Sequence, residues 1–395
     1  MSLDRLFARR SLGIRLELDT VFEVWRRLGE PAVGVPAVHV VGTNGKGSTS
    51  SMVDLALRRH GREVGLYTSP HLHRVGERVR IGGLAESDVL LEAAVDRVLG
   101  LEQGVNLPRP LSFFEVLTLA AWVRFAERGV EVIVAEAGMG GRYDATRICD
   151  AHVVAVTSID LDHQMWLGDT LAAIAAEKIA VARADVPVFS VPQDPQVLDV
   201  LREHTSAIGA PFDVVTRLPQ GPAGLLGAHQ HGNAALALAA ARVIEPAVTA
   251  ADLDGVVWPG RFERIAHGGG TLIFDVAHNP AGVLALLATL EAHAPHAAVA
   301  IGCVVDKDAA AMAAAVGRSG RDWAWVDLGG FGAAGIHLDQ SPCVLDALVP
   351  TLAWIEARLA GGGTVCICGS HVLVAAVRAT VLGIAAAEPG ERTSL

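Results

Sequence analysis

The sequence contains no uninterrupted apolar stretch of the roughly 18–20 residues that a membrane-spanning helix needs. Its first ten residues, MSLDRLFARR, lack the apolar segment of a secretion signal. Positive charge is also scarce, because 32 Lys and Arg face 43 Asp and Glu, for a formal net charge of −11. This balance argues against general binding of nucleic acid. We therefore expect a cytoplasmic protein with neither a membrane nor nucleic acid as its partner.

Cysteine is scarce as well, with five in 395 residues. Cys366 and Cys368 alternate along one predicted strand, so both should point to the same face of a sheet. This spacing suits a zinc site poorly. Buried thiols in a reducing compartment are the better interpretation.

The length exceeds that of one average domain, and 51% hydrophobic residues supply ample material for buried cores. Strand-like and helix-like segments alternate, and the alternation restarts after residues 246–260. We predict an α/β protein in which a P-loop-type, mainly parallel sheet domain (residues 1–255) precedes a smaller Rossmann-like α/β domain (residues 256–395).

Residues 38–49, VHVVGTNGKGST, read as a buried strand running into a glycine-rich loop, with a helix predicted from Ser51 to Arg59. In such a loop the glycines let backbone N–H groups approach phosphate oxygens, and Lys46 reaches the terminal phosphates. The generic pattern G-x-x-x-x-G-K-[ST] is not matched, because Gly47 separates Lys46 from Ser48. The residues predicted to bind phosphate, here called the glycine loop, are Gly42, Thr43, Asn44, Gly45, Lys46, Gly47, Ser48 and Thr49.

Three further predicted strands end near a side chain that could bind a metal ion, namely Ser69, Glu136 and His163. If these strands are adjacent and parallel, the three groups converge over the glycine loop. A buried Glu136 would need a cation as its partner. Two of these residues also have an ordinary explanation. The Ser69 hydroxyl could bond to the backbone of its own turn, and His163 could be a polar residue whose hydrogen bonds are made within the protein. His163 is the unusual ligand, since magnesium prefers oxygen.

Residues 112–115, Ser-Phe-Phe-Glu, open a long apolar helix. Ser112 and Glu115 form a capping-box pattern, which is by itself a structural explanation for both residues. Phe113 and Phe114 likewise fit a buried helix face.

These segments together resemble the dihydrofolate synthase/folylpolyglutamate synthase family of the Mur ligase superfamily. The resemblance runs from about residue 16 to 373 and rests on an ordered set of motifs: VGTNGKGST, YTSPHL with ERVRI, EAGMGGRYDAT, TSIDLDHQMWLGDT, an EK pair, GAHQ, WPGRFE, FDVAHNP, DKD and GS.

The resemblance implies a role for each matching residue. Lys46 and the glycine loop, with Asn233, Arg261 and Asp275, would bind ATP. Magnesium would be held at one or two sites by Ser69, Glu136, His163 and Lys178, the last of them carbamylated. The catalytic set would be Lys46, Lys178, Asp275 and His278, with His278 serving either as a base or as part of the ATP site. The pterin-side pocket would be lined by Ser112, Phe113, Phe114, Tyr143, Asp144 and Ala145.

The implied activity is an ATP-dependent ligase of folate biosynthesis and one-carbon metabolism. It would join L-glutamate to the carboxylate of dihydropteroate, of a (tetrahydro)folate polyglutamate, or of both. An acyl phosphate would form first, and ADP and phosphate would be released. The family is commonly monomeric, and the implied site lies between two domains whose closure completes it.

The sequence departs from the family pattern at two places. Arg147 stands where Asn is usual after Asp-Ala-Thr, and Lys178 is followed by Ile179 and Ala180 in place of Ala and Gly. Two alternatives therefore stay open. One is a Mur-type amide ligase that acts on a non-folate acid, and the other is a nucleotide-binding protein without turnover.

Overall fold

The computed structural model describes residues 2–13, 16–103, 107–329, 332, 343–345 and 347–384. They form two sheets, of eight and six strands, with helices on their faces. The strands of the first sheet are β1 Pro36–Val41, β2 Val64–Tyr67, β3 Val79–Ile81, β4 Leu84–Ala85, β5 Val132–Glu136, β6 Asp150–Val156, β7 Val188–Ser190 and β8 Phe212–Val214. Those of the second sheet are β9 Glu263–His267, β10 Gly270–Phe274, β11 Ala298–Ile301, β12 Trp323–Val326, β13 Val344–Leu345 and β14 Thr364–Cys368.

Most of the helices connect successive strands. They are α1 Ser2–Ala8, α2 Asp19–Arg27, α3 Lys46–Arg59, α4 Asp88–Gln103, α5 Phe113–Arg128, α6 Gln164–Leu167, α7 Leu171–Ile179, α8 Pro195–Ile208, α9 His229–Ile244, α10 Pro280–His293, α11 Ala309–Arg318, α12 Leu348–Leu359 and α13 His371–Leu382. Among the described residues, no helix is long and apolar enough to cross a membrane.

The first sheet has the order β4-β3-β2-β5-β1-β6-β7-β8. The four central strands, β2, β5, β1 and β6, are neighbours and run parallel, whereas β3 and β4 are antiparallel additions at one edge. Their Val- and Ile-rich sequences are buried on both faces, as expected for central parallel strands. One face packs on α3 and α9, and the other face packs on α5.

The second sheet has the order β13-β12-β11-β14-β10-β9, and only the β9–β10 pairing is antiparallel. The predicted fold class, a mainly parallel α/β sheet followed by a smaller α/β unit, is confirmed. The boundary between residues 255 and 256 stays a prediction. Cys366 and Cys368 lie in one buried cluster on a single face of β14, and the described part of the chain has no disulfide.

Some predicted element bounds were wrong. Helix α3 begins at Lys46 rather than Ser51, because Gly45 adopts a left-handed conformation and starts the helix directly. The sequence from Leu171 predicts a helix that continues to Arg183, but helix α7 ends at Ile179. Residues 104–110 and 329–335, whose glycines and prolines predict loops, lie partly outside the described residues.

Candidate active site

The ends of neighbouring parallel strands bring the predicted site residues to one edge of the first sheet. Strand β1 leads into the glycine loop, β2 leads to Ser69, β5 ends at Glu136, and β6 leads towards His163. Because these four strands are adjacent, their carboxyl ends meet over the glycine loop, at the place where open α/β sheets bind ligands.

The glycine loop has backbone conformations that suit glycine alone. Gly42 has φ +143°, and a Cβ atom there would lie 1.9 Å from Thr157 Oγ1. Gly45 has φ +91°, and its Cβ would lie 2.7 Å from Asn233 Oδ1. Helix α3 then begins without a side-chain cap, so its first N–H groups face the cleft. Such an N-terminus attracts anions.

Lys46 folds back over this loop. Its Nζ donates to the carbonyls of Gly42 at 3.2 Å and Thr43 at 3.1 Å. Burial lowers the pKa of Lys46, while the nearby carboxylate of Glu136 opposes that change.

Glu136 is a buried carboxylate, 4% exposed. Its Oε2 accepts a hydrogen bond from the Ser69 N–H at 3.1 Å, and its pKa is raised by burial. Within the described ranges it has no ion-pair partner at 4.0 Å or less. A carboxylate buried in this way needs a cation as its partner.

Arg261 lines the same cleft, the charge of Asp275 acts on it, and Asn233 borders the glycine loop at Gly45. Arg261 lines it together with Ser69 and Glu136, and the charge of Asp275 opposes the lowering of the Arg261 pKa by burial. Both oxygens of Asp275 are engaged, by the N–H groups of Phe262 and Ala277 at 2.9 Å each. Asp275 thus anchors the loop after β10, while the Arg261 guanidinium remains directed at the cleft.

Lys178 contacts the start of the glycine loop, and His163 is within the electrostatic influence of Lys178. Lys178 donates to the Gly42 carbonyl at 2.8 Å, and burial together with the charge of Lys46 lowers its pKa to about 7. His163 Nδ1 lies 4.0 Å from Asp306 Oδ2, and burial lowers its pKa to about 4. The four predicted metal ligands thus form two groups, Ser69 with Glu136 and His163 near Lys178.

A magnesium ion fits the first of these groups. The described residues contain no group of three or more His, Cys, Asp or Glu side chains placed to hold a metal ion. Magnesium does not need one, since it is usually held by one or two carboxylates, water and substrate phosphates. The unpaired carboxylate of Glu136, with Ser69 beside it and the glycine loop opposite, supplies such a donor set.

Asp162 and Lys307 form a bridge between the two sheets that the sequence analysis left without a role. Lys307 Nζ donates to Asp162 Oδ1 at 2.7 Å, and both side chains are buried. His278 lies beside this pair: its Nε2 is 3.5 Å from Asp162 Oδ2, while its Nδ1 is 2.8 Å from the Val276 carbonyl. Both ring nitrogens of His278 therefore face acceptors.

Lysine usage is the signal that could have revealed Lys307. The chain contains three lysines, Lys46, Lys178 and Lys307, and all three lie at this cleft. Other positive side chains are arginines. Because the chain has no other lysine, each of these three is a candidate for a role in the site.

Trp258 was also missed. A Cβ atom on Gly47 would lie 3.0 Å from its Nε1, and the Arg80 guanidinium lies 5.0 Å from its ring. Trp258 and Arg80 both line the cleft. The segment WPGR belongs to one of the sequence motifs, but nothing in its spacing indicates that its tryptophan faces the glycine loop.

The predicted pterin-side residues lie on the α5 face of the first sheet. Ser112 caps α5, and its Oγ accepts a hydrogen bond from Glu115 N at 3.4 Å. The capping box predicted for Ser112 and Glu115 is therefore present. Phe113 stacks on Phe7, with ring centres 5.9 Å apart. Phe114 packs against Tyr67 at 5.8 Å.

Asp144 organises the loop after β5. Its Oδ2 accepts from the N–H groups of Gly138 at 2.8 Å and Met139 at 3.1 Å, and its Oδ1 accepts from Thr146 N at 2.9 Å. Ala145 is buried, whereas Tyr143 is exposed. Of these three predicted residues, only Tyr143 presents its side chain to solvent.

Arg147, the departure from the family pattern, makes a local contact. Its Nη1 donates to the carbonyl of Arg142 at 2.7 Å. The charges of Arg183 and Arg142 add to burial in lowering its pKa. In this structure Arg147 stabilises the loop that carries Tyr143 and Asp144.

The chain is similar to known proteins both in sequence and in structure. The Mur ligase, glutamate ligase domain family matches residues 260–327. The dihydrofolate synthase/folylpolyglutamate synthase of Bacillus subtilis is 32% identical over 323 residues, which cover 72% of this chain and 74% of that protein. The solved structure of E. coli FolC in complex with DHPP and ADP is 30% identical, with a TM-score of 0.85, covering 97% of this chain and 98% of that one.

Some relatives are much longer than this chain. A probable bifunctional folylpolyglutamate synthase/dihydropteroate synthase of Haloferax volcanii is 37% identical over 308 residues. The match covers 70% of this chain and 36% of that relative, so the chain spans little more than a third of its length.

Proposed function

The chain belongs to the dihydrofolate synthase/folylpolyglutamate synthase family, and on this premise we propose that it is an ATP-dependent acid–amino-acid ligase. It would join L-glutamate to the carboxylate of dihydropteroate, of a (tetrahydro)folate polyglutamate, or of both, and release ADP and phosphate. The observation that carries this proposal is the meeting of Lys46 and Glu136 at the glycine loop, with Arg261 facing them from beside the second sheet.

ATP would lie with its phosphates on the glycine loop. The N–H groups at the start of α3, the ammonium of Lys46 and the guanidinium of Arg261 all favour negative charge there. Asn233 borders the same loop at Gly45. In this proposal residues 1–255 bind ATP and the acid, and residues 256–395 bind glutamate.

The first step joins an oxygen of the acid's carboxylate to the γ-phosphorus of ATP, and the bond to ADP breaks. This step is needed because a free carboxylate is a poor electrophile. Lys46 would stabilise the charge that develops on the transferred phosphoryl group and hold it in line.

In the second step the amino group of glutamate attacks the acyl phosphate carbonyl, and phosphate leaves. The ammonium form of glutamate must first lose a proton. His278 is the proposed group, but in the observed arrangement its Nε2 faces the Asp162 carboxylate. A role as the base therefore requires that His278 and Asp162 separate during the reaction.

Glu136 and Ser69 would hold magnesium, which neutralises phosphate charge when it is bound. His163 and Lys178 would form a second site. Lys178 as an ammonium repels a cation. Its lowered pKa leaves much of the amine neutral at pH 7, and a neutral amine reacts with carbon dioxide to form an anionic carbamate and a proton.

Purified protein should be incubated with ATP, magnesium and glutamate, and with dihydropteroate or tetrahydrofolate in turn. We expect ADP release that requires both glutamate and one of these acids. Release with a different carboxylic acid alone would indicate the non-folate ligase. If the protein binds ATP but forms no ADP under any of these conditions, it is a nucleotide-binding protein without turnover.

A further inference from the structure

Arg78 is a buried arginine that has no carboxylate partner among the described residues. It ends the short helical turn Val75–Arg78, before β3, and is 7% exposed. Its Nε donates to His71 Nδ1 at 2.8 Å. Across the described ranges, its Nη1 and Nη2 have no hydrogen-bond partner, and no carboxylate oxygen lies within 4.0 Å. Burial lowers its pKa to about 10, so the guanidinium is still charged at neutral pH.

Another buried arginine of this chain shows the usual arrangement. Arg124 is equally buried, and its Nε donates to Glu86 at 2.9 Å. A buried charge without such a partner is costly. The His71 contact fixes the orientation of the Arg78 guanidinium but neutralises none of its charge.

The surroundings of Arg78 combine an aromatic ring with the proposed catalytic edge. Its Cζ lies 5.1 Å from the centre of the Phe113 ring. His71, which orients it, belongs to the turn that carries Ser69, and the charge of Glu136 acts on the Arg78 guanidinium. Arg78 is therefore close to Phe113 and within the electrostatic influence of Glu136.

A guanidinium whose two terminal nitrogens have no hydrogen-bond partner among the described residues is suited to bind a carboxylate. Two parallel N–H groups match the two oxygens of a carboxylate in one plane. In the proposed function, the phosphates of ATP are already bound by Lys46, Arg261 and the N–H groups at the start of α3. An aromatic ring beside the fork suits an acid whose carboxylate is attached to an aromatic group.

We propose that Arg78 binds the carboxylate of the aromatic acid substrate. This inference rests on the proposed function and names the residue that recognises the reacting group. Arg78 also offsets the repulsion between the carboxylate and the triphosphate, which must approach each other in the first step.

The test compares dihydropteroate with its carboxamide analogue, which has the same rings and no negative charge. Calorimetry in the absence of ATP measures the affinity for each. We expect the wild type to bind the acid at least about tenfold more tightly than the amide. Arg78→Met should bind both equally, and Arg78→Lys should retain part of the preference. Arg74→Met, at an exposed arginine nearby, should match the wild type.

A merely structural role would weaken binding of the acid and the amide to the same extent, so an unchanged ratio in Arg78→Met would overturn the proposal. A rise in KM for glutamate or ATP alone would also overturn it. Complete absence of glutamate-dependent ADP release by the wild type would instead reject the proposed function, and this inference with it.

Stability provides a second readout. Removal of an unpaired buried charge should leave the urea midpoint of Arg78→Met at or above that of the wild type. Arg124→Met, which breaks a buried ion pair, should lower the midpoint. A loss in Arg78→Met as large as that in Arg124→Met would show that Arg78 has a structural partner, against the proposal.

Discussion

Asn44 and Asn279 exchange two hydrogen bonds between the glycine loop and the start of α10. Asn279 Nδ2 donates to Asn44 Oδ1 at 2.9 Å, and Asn44 Nδ2 donates to Asn279 Oδ1 at 3.2 Å. Asn279 also caps α10, accepting from Gly282 N at 2.8 Å, and donates to Asp162 Oδ2 at 3.2 Å. The side-chain amide of Asn279, next to the second sheet, thus contacts the glycine loop, so the two sheets are coupled directly at the proposed nucleotide site.

The neighbouring Asp162–Lys307 ion pair should carry much of this coupling. We expect Lys307→Met to destabilise the protein by about 3–5 kcal/mol, because it leaves a buried carboxylate without its cation. Asp162→Asn combined with Lys307→Met should recover most of that loss, since no buried charge remains.

Urea unfolding of the two single variants and the double variant measures the interaction as a double-mutant cycle. Small-angle scattering would show whether the two sheets separate in Lys307→Met. Additive effects of the two substitutions would contradict a direct coupling between these side chains.

Lys46→Ala should abolish glutamate-dependent ADP release without unfolding the protein. A preorganised cationic donor at the transferred phosphoryl group is typically worth at least about 100-fold in rate. Circular dichroism would confirm the fold, and Arg202→Ala, at an exposed arginine of α8, is the control. Turnover that persists at the wild-type rate would remove Lys46 from the mechanism.

The sequence allowed the glycine loop and the strand ends to be predicted, because both depend on local patterns. Val- and Ile-rich runs followed by Gly42, Ser69 and Glu136 identify parallel strands and their functional ends. Their convergence depended on strand order, which the structure supplies: β2, β5, β1 and β6 are neighbours.

The contacts between the two sheets could not be predicted in this way. Asp162 and Lys307 are 145 residues apart, and the reciprocal amides of Asn44 and Asn279 are separated by 235. No local periodicity encodes such a pairing. The same limit applies to Arg78, which has no carboxylate partner among the described residues, because the absence of a partner is visible only in three dimensions.

Lys178 can be tested for carbamate formation because the chain has so few lysines. Its pKa of about 7 makes the neutral amine abundant near pH 7.5. We expect one ¹³C carbamate resonance when the protein is equilibrated with ¹³C-bicarbonate, and we expect Lys178→Arg to lose it. A spectrum without that resonance at pH 7.5 and pH 8.5 would exclude the modification.

His39 should make stability depend on pH. It is buried in β1, its Nε2 lies 2.8 Å from Thr146 Oγ1, and burial with the charges of Arg183 and Arg147 lowers its pKa to about 3. In the unfolded chain the group titrates near 6.5. Between these values the unfolded state binds one more proton, so stability rises with pH and is lost as the pH falls.

The expected loss from this residue is about 1 kcal/mol between pH 6.5 and 5.5. Urea unfolding at several pH values should show a shallower dependence for His39→Asn than for the wild type. His152→Asn, at an exposed position of β6, should leave the dependence unchanged. Equal slopes for the wild type and His39→Asn would mean that His39 is protonated in the folded state.

Glu136→Gln should change stability and function in opposite directions. The raised pKa of Glu136 means that its charge is disfavoured in the folded state, so the neutral amide should keep or raise the urea midpoint of the ligand-free protein at pH 7. The same change removes the anionic oxygen proposed to hold magnesium. We therefore expect magnesium to tighten ADP binding in the wild type and to have little effect in Glu136→Gln, as measured by calorimetry. Glu203→Gln, on the exposed face of α8, should behave like the wild type. If Glu136→Gln lost stability and kept the magnesium effect, the carboxylate would be a structural group and the cation would have to lie elsewhere in the cleft.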